Sequence, residues 1–179
     1  MKKITTLIVA LFLAFSFTSC QEESLQGYLV KSQEKSGFIT FDVPASILQI
    51  KSDEVSEATK ATLNTLKKIN VVALPANSSN SDEVTAEKAA LDKIFKGDQY
   101  KSLMRFTHSN IKVNLLYVGN DNEIDEVIAY GYSSEMGVGI ARILGDNMNP
   151  SDIMKMMNEV KFDGSGVDLK QFSAIFSGK

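Results

Sequence analysis

His108 is the only histidine in the chain, and imidazole is the side chain best suited to proton transfer near neutral pH. It lies in the polar segment 107–110, which is typical of a hairpin turn. A histidine-dependent nucleophilic site also needs a nucleophile and an orienting acid, and the sequence has neither a Gly-x-Ser-x-Gly elbow nor a reactive cysteine to suggest one. We therefore predict an exposed turn histidine and no catalytic residue.

Two acidic segments carry enough side-chain oxygen atoms to be candidate cation sites. Residues 121–126 place oxygen atoms at alternate positions, as a calcium loop does at its start, but the glycine expected at the sixth position is missing and Tyr132 stands where the twelfth-position glutamate belongs. Asp163, Ser165 and Asp168 lie around two glycines, and a turn with a helix cap explains them with fewer assumptions. No metal or other cofactor is expected.

The remaining candidates are apolar. Four methionines cluster on and just before the helix predicted to start at Asn149, namely Met148, Met154, Met156 and Met157. Flexible methionines either fill a core or line an adaptable groove. Core filling is the main interpretation; Met148, Met154 and Met157 are the candidates for ligand binding. The glycines at 131, 137 and 139 indicate bulges or close packing of a strand pair against a helix.

Charge and cysteine content exclude several classes of protein. The formal net charge is −3, and loss of Lys2 and Lys3 with residues 1–19 would leave 17 basic against 22 acidic side chains. A nucleic-acid partner is therefore not expected. Cys20 is the only cysteine, so the folded part can have neither an internal disulfide nor a cluster of thiolate metal ligands.

Residues 1–19 are typical of a secretory signal. Lys2 and Lys3 precede a nearly unbroken apolar run over 4–17, and small residues follow before Cys20. Such a run covers roughly 21 Å as a helix, which is short of the roughly 30 Å hydrocarbon core of a bilayer. The pattern favours a removable signal over a permanent transmembrane helix.

The segment that ends at Cys20 resembles the lipoprotein signal of Gram-negative bacteria, although Phe17 and Ser19 depart from its usual residues. The resemblance implies that Cys20 is acylated and becomes the first residue of the mature protein. Each buried methylene contributes about 0.8 kcal/mol, so a triply acylated anchor would be permanent. Because Gln21 is not the aspartate associated with inner-membrane retention, the outer membrane is implied, on either face. An ordinary signal peptide and an uncleaved anchor remain the alternatives.

Hydrophobic periodicity predicts helices and strands in alternation through the first half of the mature chain. The predicted elements are a helix from Leu25 that ends before Gly37, a strand over 38–43, one or two helical turns over 47–50, a helix capped near Ser52, a strand over 69–74 and a helix over 82–96. The helix capped near Ser52 has Val55, Thr59, Leu63 and Leu66 on one face.

Four β-like runs follow, at 101–107, 111–118, 124–132 and 136–144. The short polar turns between them force an antiparallel meander. Asn149 as the cap and Pro150 in the first position then predict a helix, with Ile153, Met157 and Val160 on its inner face.

The carboxyl-terminal tail, residues 162–179, is predicted to be helical and to dock on the domain. It begins with a hinge that contains Gly164 and Gly166. Its apolar residues then recur at helical spacing, at Leu169, Phe172, Ile175 and Phe176.

This order predicts one α+β domain over 25–179 after a short tether at 20–24, built as a two-layer sandwich with helices on one face of a mainly antiparallel sheet of about six strands. Together with the fragments Ser102-Leu103-Met104-Arg105 and 141–148, it resembles a family of small bacterial envelope lipoproteins known only as a domain of unknown function. The resemblance covers most of 24–160 and implies the fold and the outer-membrane location. The resemblance implies neither an activity nor any site residues.

The leading hypothesis is a non-enzymatic, membrane-anchored lipoprotein that serves as a binding or structural module and meets a protein partner in the cell envelope. The alternatives are a module that binds lipid or another apolar small ligand, and a hydrolase whose carboxylates converge only in the fold. An enclosed apolar pocket would favour the ligand, an exposed apolar patch the protein partner, and a cleft of ionisable groups with perturbed pKa values the enzyme.

Overall fold

A computed structural model describes residues 23–47, 55–108, 110–120 and 123–159. The helices are α1 (Leu25–Ser32), α2 (Glu57–Asn64), α3 (Ser81–Ile94) and α4 (Pro150–Glu159), and a 3-10 turn spans Ala45–Ile47. The strands are β1 (Ile39–Pro44), β2 (Leu66–Pro75), β3 (Lys101–His108), β4 (Ile111–Gly119), β5 (Ile124–Ser133) and β6 (Gly137–Met148). The signal at 1–19, Cys20, the cap near Ser52 and the tail at 162–179 lie outside the described residues.

The six strands form one sheet in the order β1-β2-β6-β5-β4-β3, with every neighbouring pair antiparallel. The predicted meander is confirmed for β3 to β6, and so is the α+β class with a six-stranded sheet. β2 does not pair with β3, the next strand along the chain. It lies between β1 and β6, so the first and last strands of the chain share the same half of the sheet.

The first face of the sheet is covered by α1 and α3. Alternate residues of a strand point to opposite faces, and on this face they meet the apolar stripe of each helix. The cluster buries Leu25 and Leu29 of α1 and Leu91 of α3, together with strand residues Val72, Leu74, Leu116, Ile128, Val138 and Ile140. The helical period predicts Val84, Leu91, Ile94 and Phe95 on the inner face of α3. The first three are buried, and Phe95 is the half-buried C-cap of the helix.

The second face carries α2 and α4, so the expectation of helices on one face only is corrected. Ile153 and Met156 of α4 are buried with Val127 of β5, and Leu63, Tyr117 and Ile143 pack against them. The physical reason lies in the strands: β2 buries five successive residues, Asn70 to Leu74, and such a strand has to be covered on both sides.

Helix α2 is shorter than the predicted helix over 52–66. Its N-cap is Ser56, whose Oγ accepts the Thr59 N–H at 3.2 Å, and its C-cap is Thr65. Leu66 is therefore not on the helix. It starts β2 opposite Gly145, because pairing with β6 provides backbone hydrogen bonds that outweigh the local helical pattern.

The last strand is longer than predicted, because Met148 pairs with Ile124 and so extends β6 beyond Leu144. The capped start of α4 is confirmed, since Asn149 Oδ1 accepts the N–H of Ser151 at 2.9 Å. Ile153 lies inward as expected, and Met156 is buried beside it. The side chain of Met157 and all of Val160 lie outside the described residues.

Candidate functional site

An apolar groove lies on the second face, at the end of the sheet away from α2 and α4. We call it the sheet groove; its volume is about 320 Å³. Its lining includes Ile111, Val113, Ala129, Gly131, Ser133, Met136, Gly139 and Ala141. Among the described residues that line it, Ser133 has the one polar side chain, and its hydroxyl already accepts the Glu135 N–H at 3.3 Å.

The strand register creates the groove by aligning small residues. One row across the sheet runs Val113, Gly131, Gly139, Ala73 and Ile39, each opposite the next. The neighbouring row runs Leu115, Ala129, Ala141, Val71 and Phe41. Small side chains of β5 and β6 thus form the floor of the groove, and the larger Ile111 and Val113 of β4 form a wall on one side.

The lining of the groove comes from β4, β5, β6 and the turn between β5 and β6. Two strand spacings separate β4 from β6, which is about 10 Å at about 4.8 Å each. An α-helix with its side chains is about 10 to 12 Å across, so one face of a helix can lie along the floor.

The apolar surface continues to the edge of the sheet. Phe106 pairs with Val113 and Met104 with Leu115, so both side chains lie on the second face. They are 43% and 37% exposed, which is unusual for large apolar side chains that adjoin a groove. Strand β3 is also an edge strand, so this part of the surface is open from the side.

A second cleft, between α3 and the strands β3 and β4, contains polar groups that are paired with one another. Tyr130 donates its hydroxyl to Asp92 Oδ1 at 3.0 Å, and Lys88 forms an ion pair with the same carboxylate. Burial, and then Asp92, raise the pKa of the Tyr130 phenol above its ordinary value. The phenol is therefore a proton donor that holds α3 to the sheet and not a base.

A line of polar groups crosses the first face near its other end. Arg142 forms two hydrogen bonds with Glu126, from Nε at 2.9 Å and from Nη2 at 2.5 Å, and it donates to Gln26 Oε1 of α1 at 2.7 Å. Asp42 accepts from Lys68 at 2.7 Å and from Asn70 at 2.5 Å.

These contacts indicate a structural role for the polar line. The Lys68 hydrogen bond lowers the pKa of the Asp42 carboxyl, which is the opposite of the shift that a general acid near neutral pH needs. Glu126 is held by both hydrogen bonds of Arg142. Within the described part of the chain, no group of three or more histidine, cysteine or acidic side chains is arranged to hold a metal ion.

Of the methionines predicted as ligand contacts, neither Met148 nor Met154 lines the sheet groove. Met148 is completely buried in the second-face cluster, Met154 is half-buried, and the side chain of Met157 lies outside the described residues. Their role in ligand binding stays a prediction, and the structure places Met148 among core side chains. His108 is the last residue of β3, and its side chain also lies outside the described residues.

The comparisons with known proteins place this geometry in a family. No curated protein and no solved structure matches the chain. None of the helices in the described ranges is long and apolar enough to span a bilayer. A family model described as a domain of unknown function, DUF4252, matches residues 28–156, a span that contains all six strands and the sheet groove. The match confirms the resemblance to an uncharacterised family, and the chain belongs to the DUF4252 family.

Proposed function

We propose that the protein is a non-enzymatic binding module of the bacterial cell envelope, held at the outer membrane by acyl chains on Cys20. The sheet groove is its binding surface. The observation that carries the binding role is the apolar lining of the groove, which continues to the exposed side chains of Met104 and Phe106. A soluble protein rarely leaves such a patch uncovered unless it contacts another molecule.

The shape of the groove favours an apolar helix of an envelope protein as the partner. Its floor of glycine and alanine permits close approach of a backbone, and its open side at β3 admits a long segment. An amphipathic helix would insert the side chains of one face, at positions i, i+3, i+4 and i+7. A lipid chain is the second candidate, because about 320 Å³ falls at the lower end of the range for small-ligand pockets.

The anchor is tested with a fatty-acid analogue. In a Gram-negative host, we expect the protein without substitutions to incorporate the label and to fractionate with the outer membrane. The Cys20→Ala variant should incorporate none, because acylation needs the thiol. A matched control is Ser19→Ala, which keeps the cysteine and should label normally. Label on the Cys20→Ala protein, or an unlabelled protein free in the periplasm, would contradict the anchor.

The binding surface is tested by placing a charge in it. Ala129→Glu puts a carboxylate on the groove floor, and burial of an unpaired charge against an apolar partner should weaken binding at least tenfold, or about 1.4 kcal/mol. The control Ala86→Glu adds the same charge at an exposed position of α3.

The measurement is photo-crosslinking of the anchored protein in intact cells, followed by mass spectrometry of the crosslinked partner. Loss of the same partner from Ala129→Glu, with retention by Ala86→Glu, supports the proposal. Urea unfolding of both variants shows whether each is folded. Equal capture by both folded variants would exclude the groove as the binding surface. Co-purified lipid without a protein partner would favour a lipid chain as the ligand.

A further inference from the structure

We infer that the outer edge of strand β3 binds an extended, acidic segment of another protein, which adds a seventh strand to the sheet. Apolar side chains of that segment lie beside Met104 and Phe106 on the second face, and its carboxylates meet Arg105 and Lys112 on the first face. The inference goes beyond the proposed function, because the added strand lies in the plane of the sheet and not in the sheet groove.

Strand β3 presents an edge that a further strand can extend. It is the last strand in the order of the sheet, so alternate backbone N–H and C=O groups point away from β4. Its register with β4 shifts between Ser102 and Met104 and is regular from there to His108. The opposite edge is less suited, because β1 has only 6 residues and ends at Pro44, which has no N–H to donate. A new strand can therefore pair with β3 from Met104 onward.

One side of this edge is apolar. Met104 and Phe106 are both exposed, and both lie on the second face. Side chains directly opposite each other on neighbouring strands have Cβ atoms about 4.5 to 5.5 Å apart. Two apolar residues at alternate positions of an added strand are therefore close enough to cover Met104 and Phe106.

The other side of the same edge is basic. Arg105 and Lys112 are diagonal neighbours in the pairing of β3 with β4, and both line the second cleft together with Lys88 and Asp92. Asp92 already forms an ion pair with Lys88. Within the described ranges, neither Arg105 nor Lys112 forms an ion pair. In a chain whose formal net charge is −3, this local excess of positive charge favours carboxylates as the partner groups.

These charges favour a foreign segment over a second copy of the chain. Residues 101–108 contain Lys101 and Arg105 and no acidic residue. A two-fold antiparallel pairing of β3 that covers Met104 and Phe106 would place the two Arg105 side chains opposite or diagonal to each other, and facing like charges are destabilising. The partner is therefore an extended segment in which acidic and apolar residues alternate.

Peptide binding to the full-length chain tests the inference. The probe is the peptide Thr-Val-Glu-Ile-Glu-Val-Thr, labelled with fluorescein at its amino terminus, and the matched control peptide has lysine in place of both glutamates. Fluorescence anisotropy measures both affinities. We expect the acidic peptide to bind about tenfold more tightly than the lysine peptide. Its affinity should fall several-fold between about 0.05 M and about 0.5 M salt, because salt screens exposed ion pairs.

Charge reversal on the protein separates this site from general attraction. Arg105→Glu should weaken binding of the acidic peptide about tenfold and strengthen binding of the lysine peptide, because the sign of the charge at the edge is exchanged. Lys96→Glu is the matched control, since it makes the same change at an exposed position after α3, and both affinities should stay within about twofold. Urea unfolding shows whether each variant is folded, and Lys112→Glu takes the place of an unfolded Arg105→Glu.

Hydrogen exchange in the protein without substitutions tests whether the bound peptide pairs with the backbone. The outward-facing amides from Met104 to His108 should exchange about fivefold more slowly when the acidic peptide is bound, because the new strand accepts their hydrogen bonds. The same peptide methylated on two successive central backbone nitrogens cannot donate to β3, and it should bind about tenfold more weakly.

Four results overturn the inference: no binding of the acidic peptide, equal affinities of the two peptides, equal weakening by Arg105→Glu and Lys96→Glu, and binding without slower exchange in β3. Dimers in light scattering, with exchange in β3 that slows as the protein concentration rises without peptide, would show that a second copy fills the edge and would also overturn it. The titration uses no envelope partner, and capture by Ala129→Glu tests the sheet groove, so either proposal can fail while the other holds.

Discussion

Replacing Gly137 with alanine is expected to lower the free energy of unfolding by about 3 to 5 kcal/mol. Gly137 has a φ of +111°, a conformation that costs an L side chain about 1 to 3 kcal/mol. A Cβ there would also lie 2.1 Å from the Leu74 carbonyl oxygen and 2.7 Å from the Ala76 nitrogen. Both are backbone atoms of the adjacent strand end, so relief requires moving β2 away from β6, at about 1 to 3 kcal/mol more.

The loss should appear as a fall of about 1.5 to 2.5 M in the midpoint of urea unfolding, for an m-value of about 2 kcal/mol per M. Gly131→Ala is the matched control, because it makes the same substitution in the neighbouring strand. Its Cβ would lie 3.6 Å from Ile111 Cγ2, which is ordinary contact. If the two variants unfold at the same urea concentration, the close approach of β2 to Gly137 is not as described.

The sequence predicted the elements whose signals are local. Helix α3 is predictable because Val84, Leu91 and Ile94 recur with the helical period, and the antiparallel order of β3 to β6 is predictable because their turns are too short for any crossover. The cap at Asn149 was likewise a signal contained within a few residues. In each case the residues that determine the structure are close together in the chain.

The features that were missed depend on residues far apart in sequence. Leu66 fits the helical pattern of α2, and only its pairing with Gly145 makes it a residue of β2. The candidate site is not predictable from the sequence for the same reason, because it also depends on pairing between distant residues. Gly131 and Gly139 indicate a bulge or close packing against a helix when each is taken alone, and the groove exists because register places them opposite each other and beside Ala73.

The polar line on the first face is a second case of this kind. Arg142 and Glu126 are 16 positions apart, and Gln26 is 116 positions from Arg142. Charged residues in a strand are usually assigned to a solvent-facing side, and the alternation along β6 would have placed Arg142 inward without naming its partners. The contact with α1 was therefore not predictable from either segment alone.

Replacing Arg142 with methionine is expected to destabilise the protein by about 3 to 5 kcal/mol. The Arg142 and Glu126 side chains are only 9% and 19% exposed, and the substitution leaves the largely buried Glu126 carboxylate without its partner. Losing one member of a buried ion pair is costly because the remaining charge stays desolvated. Arg105→Met is the matched control, since Arg105 is exposed on β3, and its effect should stay within about 0.5 kcal/mol.

The double variant Arg142→Met with Glu126→Met separates the ion pair from simple packing. If the cost arises from the orphaned carboxylate, removing it should restore most of the lost free energy of unfolding, and the coupling energy between the two sites should reach at least about 2 kcal/mol. If the cost arises from lost packing of the arginine stem, the two losses should add. Hydrogen exchange of α1 then tests the third contact, because Arg142 also holds Gln26, and its loss should release α1 before the rest of the sheet opens.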